Sequence, residues 1–150
     1  MTTGFLFAYE MDLAGQRVLL RLDVNVPIQD GQVSDDTRIR RIVPGLQALV
    51  AARAKIIILT HFGRPKGKIV PDLSIQPVAD CMAKLLGQPV DVETDVIGAG
   101  GVEAVAALQS GNILMMENLR FYPEEEANEQ GFAKKLAALG DIYVGDAFSC

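Results

Sequence analysis

Histidine occurs once and cysteine twice in these 150 residues. Cys81 and Cys150 match neither a metal-ligand spacing nor a disulfide framework. That excludes a zinc module and a disulfide-stapled secreted scaffold, and favours a reducing, cytoplasmic location. No apolar run is long enough to span a bilayer, so no membrane partner is expected. The opening "MTTGFLFAYEMD" has neither a positively charged segment nor a small-residue cleavage site, which argues against a secretory signal. Internal repeats, low-complexity tracts and linkers are missing too. The net charge of −5 argues against a nucleic-acid partner.

What is present is an ordinary globular balance, 49% apolar and 22% charged, enough for one domain with a sizeable core. The charge is unevenly spread. Residues 1–70 hold ten Lys or Arg against six Asp or Glu, and residues 71–150 hold four against thirteen. Basic residues thus gather where the chain has its Gly, Asn and His punctuation, which suggests a local anion site on an acidic protein.

Apolar runs alternate with helical patterns. "VLLRLDV" (Val18 to Val24), "KIIILT", "QPVDVE", "NILMME" and "DIYVGDA" read as five strands. Asp30-Gly31 between short alternating flanks predicts a hairpin with a primed turn. Asp35, Asp36 and Thr37 offer N-cap side chains to a helix carrying Ile39, Ile42, Leu46, Leu49 and Val50, with Pro44 marking a kink or local irregularity. "DLSIQPVADCMAKLLG" predicts a helix stopped by Gly87. "PEEEANEQGFAKKLAALG" predicts one more, its acidic first turn suiting the helix dipole, so that Glu124 to Glu126 need no function.

The expected fold is α/β, a doubly wound parallel sheet in a Rossmann-like three-layer α/β/α arrangement. It is expected to be incomplete at the C-terminal end, because the chain stops at "GDAFSC" just after a strand with no closing helix.

The loop "THFGRPKGK", Thr60 to Lys68, concentrates glycine and positive charge after a buried strand. A nucleotide loop of the Walker type needs G-x-x-x-x-G-K-[ST]. Here three residues separate Gly63 from Gly67, and Ile69 stands in place of the magnesium-binding hydroxyl. The glycines at 98, 100 and 101 likewise fail as a dinucleotide fingerprint, since Glu103 occupies the sixth position.

Ligands of open α/β sheets bind beyond the carboxyl ends of the strands. That rule gathers Asp23 and Asn25, His61 and Arg64, Glu117, Asn118 and Arg120, and Asp146 on one rim. Arg38 lies at a helix start, where a cation is disfavoured by roughly 0.3–1 kcal/mol unless an anion sits there too.

Each residue also has a plainer reading. Arg21 and Asp23 face the same side of a strand and could form an ion pair instead of touching a ligand. Arg40 and Arg41 read as solvated helix charges, and Lys66 and Lys68 as loop charges that aid steering. His61 could be structural, and Asp146 could cap or pair. No nucleophile with its base and no metal set appears. The residues alone describe a site for a small phosphorylated or carboxylated metabolite.

"RVLLRLDVNVP", "DDTRIRRIVPGLQAL", "THFGRPKGK", "LLGQPV", "MMENLRFYPEEEAN" and "FAKKLAALGDIYVGDAFSC" follow the order and spacing of the amino-terminal domain of the phosphoglycerate kinase family. From about Leu13 onward the chain resembles that family throughout. The resemblance implies reversible phosphoryl transfer between 1,3-bisphosphoglycerate and ADP, giving 3-phosphoglycerate and ATP. It implies two doubly wound domains closing by hinge bending, here most of the substrate-binding one. Mg-ADP or Mg-ATP would be the co-substrate, bound by a C-terminal domain absent from these residues, and the full-length protein would be a monomer.

Carried over position by position, Asp23 and Asn25 would hold the hydroxyl and carboxylate end of the substrate. His61, Arg64 and Arg120 would hold its non-transferring phosphate, and the backbone of Val24, Phe62 and Gly63 would line the pocket. Arg38 would be the catalytic residue, reaching the carboxyl group and the phosphoryl in flight. A carboxylate nucleophile needs no general base, so positioning and charge neutralisation do the work. Departures from the family pattern are the shorter chain, the "SC" ending of "DAFSC", an expected further arginine beyond Cys150, and ten leading residues without a motif. The piece alone is therefore expected to be inactive. A non-catalytic binding module for a phosphorylated acid is the alternative, and a truncation with no stable fold a third.

Overall fold

The computed structural model describes residues 12–127 and 129–145. Five parallel strands form its sheet: β1 (Arg17–Arg21), β4 (Lys55–Leu59), β5 (Val90–Glu93), β6 (Ile113–Met116) and β7 (Ile142–Gly145). Their spatial order is β5-β6-β4-β1-β7. β2 (Ile28–Gln29) and β3 (Gln32–Val33) make the expected hairpin. Its two turn residues, Asp30 and Gly31, have φ of 53° and 74°, the left-handed pair a type I′ turn requires.

Alternation along each strand sends side chains to two separate cores. On one face Val18, Leu20, Ile56, Ile58, Ile113 and Met115 pack with Ile39, Ile42 and Leu46 of helix α1 (Thr37–Ala51) and Val78 and Met82 of α2 (Gln76–Leu86). On the other, Leu19, Ile57, Leu59, Leu114 and Met116 meet Val105 of α3 (Ala99–Ala107). Phe132 and Leu136 of a C-terminal helix join that second core. Both faces are covered, so the three-layer expectation holds. Each fully buried Leu or Ile contributes about 1.5–3 kcal/mol through removal of apolar area from water.

Three local expectations need correction. β1 ends at Arg21, earlier than the pattern suggests, although the Leu22 N–H still reaches the Leu59 carbonyl at 3.1 Å. α1 runs unbroken through Pro44. Asp36 occupies its N-cap position without a side-chain cap bond. Instead, Asp35 Oδ1 accepts from the Thr37 N–H at 3.0 Å and from its hydroxyl at 2.7 Å, which lowers the Asp35 pKa.

The helix expected after Tyr122 is two helices, α4 (Pro123–Glu126) and α5 (Gln130–Ala137). The Glu129 N–H bonds back five residues to Glu124, and Glu129 itself is extended. This offset gives α5 its own axis, along which Phe132 and Leu136 reach the sheet.

Gly87 ends α2 at φ 73° as expected. Asp146 and the rest of "DAFSC" lie outside the described residues, as do residues 1–11.

Candidate functional site

The chain beyond β6 builds the rim. Buried Glu117 accepts from the Ser74 hydroxyl and the Ile75 N–H, both at 2.7 Å. Asn118, fully buried, accepts through Oδ1 from the N–H groups of Phe62 and Arg120, both at 3.1 Å. Its Nδ2 donates to the carbonyls of Phe62 at 2.6 Å and Leu73 at 2.9 Å. Glu117 and Asn118 are thus anchors of the loop after β4, their polar capacity spent inside the protein. The Gly67 N–H adds a bond to the Arg120 carbonyl at 3.1 Å.

These bonds bring Arg64, Lys66, Arg120 and Glu125 around one cavity of about 560 Å³. Arg120 enters it on a short 3-10 turn (Leu119–Phe121) directly behind Asn118. Its Nε is buried and has no hydrogen-bond partner among the described residues. A buried guanidinium N–H left unpaired costs roughly 1–3 kcal/mol or more, which a bound anion would recover.

His61 is half-buried, and its pKa lies below the ordinary 6.5, first through burial and then through the positive charges of Arg120 and Arg21. Glu125 and Asp23 oppose that shift. The imidazole thus feels charges from both the Arg120 group and the Asp23 group.

A second, smaller hollow of about 220 Å³ is lined by Asn25, Asp35, Thr37, Arg38 and Arg41, among others. Asp23 Oδ2 accepts from Arg38 at 2.8 Å, and its Oδ1 accepts from the Asn25 N–H at 3.1 Å. The ion pair open to Arg21 and Asp23 as an alternative to ligand contact does not form. Arg21 reaches Glu125 at 3.2 Å and Arg38 takes Asp23.

The sequence-predicted residues therefore fall into two groups, Arg64 with Arg120 and Asn25 with Asp23 and Arg38, and His61 lines neither hollow. Val24 and Phe62 turn their side chains into the core and could offer only backbone groups. Gly63 sits in the left-handed region at φ 63°, where an added Cβ would lie 2.7 Å from Leu73 Cδ2.

Sequence reasoning passed over three contributors. Lys66 reads as a loop charge and Arg41 as a helix charge, yet both line a cavity. Glu125 reads as dipole compensation, yet its carboxylate stands among the arginines. Arg40 does behave as expected, an exposed charge paired with Asp36 at 2.9 Å.

The glycine-rich start of α3 has an internal explanation. Asp95 Oδ2 accepts from the Gly100 N–H at 2.8 Å, and a Cβ on Gly101 would collide with the Val96 carbonyl oxygen. A resident carboxylate already fills that helix start and would repel a nucleotide phosphate. That helix start therefore does not fit a nucleotide phosphate.

Fold and rim together define the class: a doubly wound α/β domain carrying a cationic pocket beyond the carboxyl ends of its strands. A family model described as phosphoglycerate kinase matches residues 8–150, and the chain belongs to that family. The phosphoglycerate kinase of Ruegeria sp. (strain TM1040) is 53% identical over 140 residues, 93% of this chain and 35% of that protein. Among solved structures, phosphoglycerate kinase from Coxiella burnetii superposes with a TM-score of 0.82 at 36% identity, over 94% of this chain and 35% of that one. The enzyme from Pyrococcus horikoshii OT3 gives 0.80 at 32% identity, over 92% and 35%. The chain thus spans about a third of the length of the relatives it matches.

Proposed function

We propose that this chain forms most of the substrate-binding domain of a phosphoglycerate kinase and supplies its 3-phosphoglycerate site. The observation that carries the reading is the unpartnered, buried Arg120 Nε in a cavity shared with Arg64 and Lys66. A planar guanidinium beside two further cations suits a phosphate monoester. His61, Arg64 and Arg120 hold the non-transferring phosphate, and Asp23 and Asn25 take the hydroxyl and carboxylate end. The backbone of Val24, Phe62 and Gly63 lines the pocket. Arg38, paired with Asp23 at 2.8 Å, leaves that partner to neutralise the carboxyl and the phosphoryl group in transit.

The reaction is reversible phosphoryl transfer between 1,3-bisphosphoglycerate and ADP in glycolysis, by a cytoplasmic, monomeric protein. The nucleophile in the ATP-consuming direction is an ionised carboxylate, so neither His61 nor any carboxylate of this rim acts as a base. Arginine charge and fixed geometry supply the catalysis. Mg-ADP or Mg-ATP belongs to a nucleotide-binding domain outside these 150 residues, so this chain alone has no kinase turnover.

Calorimetric titration with 3-phosphoglycerate at low salt tests the reading, with ADP as the control. Heat with the glycerate, none with ADP, and loss of the glycerate signal in Arg120→Ala are expected. Equal binding by wild type and Arg120→Ala would overturn the site assignment.

A further inference from the structure

We propose that Glu125 is a resident counter-anion of the basic pocket that competes with the incoming phosphate and so sets its affinity. The inference rests on the pocket being an anion site. Glu125 Oε1 accepts from Arg21 at 3.2 Å with its side chain 14% exposed, so the carboxylate has given up most of its hydration. It also stands in the wall of the cavity formed with Arg64, Lys66 and Arg120. Among those four residues it is the one negative charge.

Its position is fixed by the same segment that presents Arg120. The Phe121 N–H bonds to the Asn118 carbonyl at 3.1 Å, Tyr122 N–H to Leu119 at 3.1 Å, and Glu125 N–H to Tyr122 at 3.1 Å. These bonds run from the buried Asn118 anchor to Glu125, so the backbone that carries the cation and the carboxylate forms one tied segment. Two consequences follow from the charges. The carboxylate holds Arg21 while the pocket has no ligand, which keeps the cationic cluster from repelling itself. A dianion entering beside Arg120 meets that carboxylate across the cavity and competes with it for Arg21. Repulsion by one like charge in the wall of the same open cavity weakens a dianion by about tenfold.

The test uses sulfate, which stays doubly charged across neutral pH, titrated into the 150-residue chain at fixed ionic strength. Glu125→Gln keeps the shape and removes the charge, and is expected to bind sulfate about tenfold more tightly than wild type. In an Arg21→Ala background the same change gains less, because the contested cation is gone. Melting curves monitor folding, and if Glu125→Gln does not fold, Glu125→Ala decides. It likewise removes the charge, so tighter sulfate binding than wild type is expected. Equal or weaker binding by the folded variant would overturn the proposal and leave Glu125 as a strut for Arg21. Sulfate binding by wild type that is lost in Arg120→Ala but unchanged by Glu125→Gln overturns this inference alone. No sulfate binding by wild type overturns it together with the anion-site reading.

Discussion

The side-chain amide of Asn118 pairs with both backbone polar groups of Phe62, accepting from its N–H at 3.1 Å and donating to its carbonyl at 2.6 Å. The two residues are 56 positions apart in sequence. The contact closes the loop after β4, which carries His61 and Arg64, onto the end of β6, which leads into Arg120. A backbone-like pairing made by a side chain fixes the geometry of the pocket without adding a strand.

Replacing Asn118 by Ala would strand the Phe62 N–H and carbonyl and the Leu73 carbonyl in a dry environment. A loss of about 3 kcal/mol in unfolding free energy is expected, read from the denaturant midpoint. Asn118→Asp should cost at least as much, since it turns two donated bonds into repulsion against carbonyl oxygens. A midpoint unchanged from wild type in either variant would remove Asn118 from its anchoring role.

Gly67 and Gly31 make a paired test of backbone strain. Both sit in the left-handed region, at φ 74° each. A Cβ on Gly67 would lie 2.9 Å from Pro123 Cβ and 3.0 Å from its Cα, whereas one on Gly31 meets nothing within 4 Å. Gly31→Ala should therefore cost about 1 kcal/mol, the left-handed penalty alone. Gly67→Ala should cost roughly 2–3 kcal/mol and weaken anion binding, because Pro123 follows closely on Arg120. Equal costs would mean that the loop yields to the clash.

His61 gives the pocket a pH dependence with a defined sign. Burial with Arg120 and Arg21 holds its pKa below 6.5, while Glu125 and Asp23 pull the other way. The unfolded chain binds the proton more readily, so the free protein loses stability as pH falls below about 6.5. A bound dianion favours the imidazolium, so sulfate affinity should rise as pH is lowered from neutrality through that window. His61→Asn should flatten the sulfate profile. A profile equally steep in the variant would move the titrating group elsewhere.

At the start of the sheet, Arg17 donates to Asp141 through Nε at 3.2 Å and a terminal nitrogen at 2.9 Å, tying β1 to β7. The Arg17 side-chain and backbone hydrogen bonds lower the Asp141 pKa below its ordinary 3.8. A depressed carboxyl contributes stability above the unfolded value and loses it as pH falls through the folded one. The pair is more than a third exposed, so solvent screening limits its worth to about 1 kcal/mol or less. Asp141→Asn should lower the midpoint slightly at pH 7 and make no difference well below pH 3.8. A difference persisting at low pH would point to packing instead of charge.

Continuous apolar runs and turn chemistry decide local structure, and those were legible in the sequence. "KIIIL" and "ILMM" are buried on both faces and could only be interior strands. Asp30-Gly31 could only be a primed turn, and Gly87 a left-handed stop. The loop of Thr60 to Lys68 and the basic rim also stood out, because strand ends and charge are both written locally. The chain's membership of its family was likewise carried by ordered motifs.

Partner choice was not legible, because it depends on distance across the fold. Nothing near Arg21 in sequence points to Glu125, 104 positions away, and the adjacent Asp23 offers a nearer but wrong partner. Asn118 looked like a ligand group until its amide was seen to be consumed by Phe62 and Leu73. The order β5-β6-β4-β1-β7 is likewise a tertiary decision, since β1, β4 and β6 each carry two apolar faces and so could take any interior place in the sheet. Sequence set which segments are strands, turns and cations, through short-range sterics and burial. Tertiary structure decided which cations share a pocket and which carboxylate answers them, because electrostatics acts through space and takes no account of position along the chain.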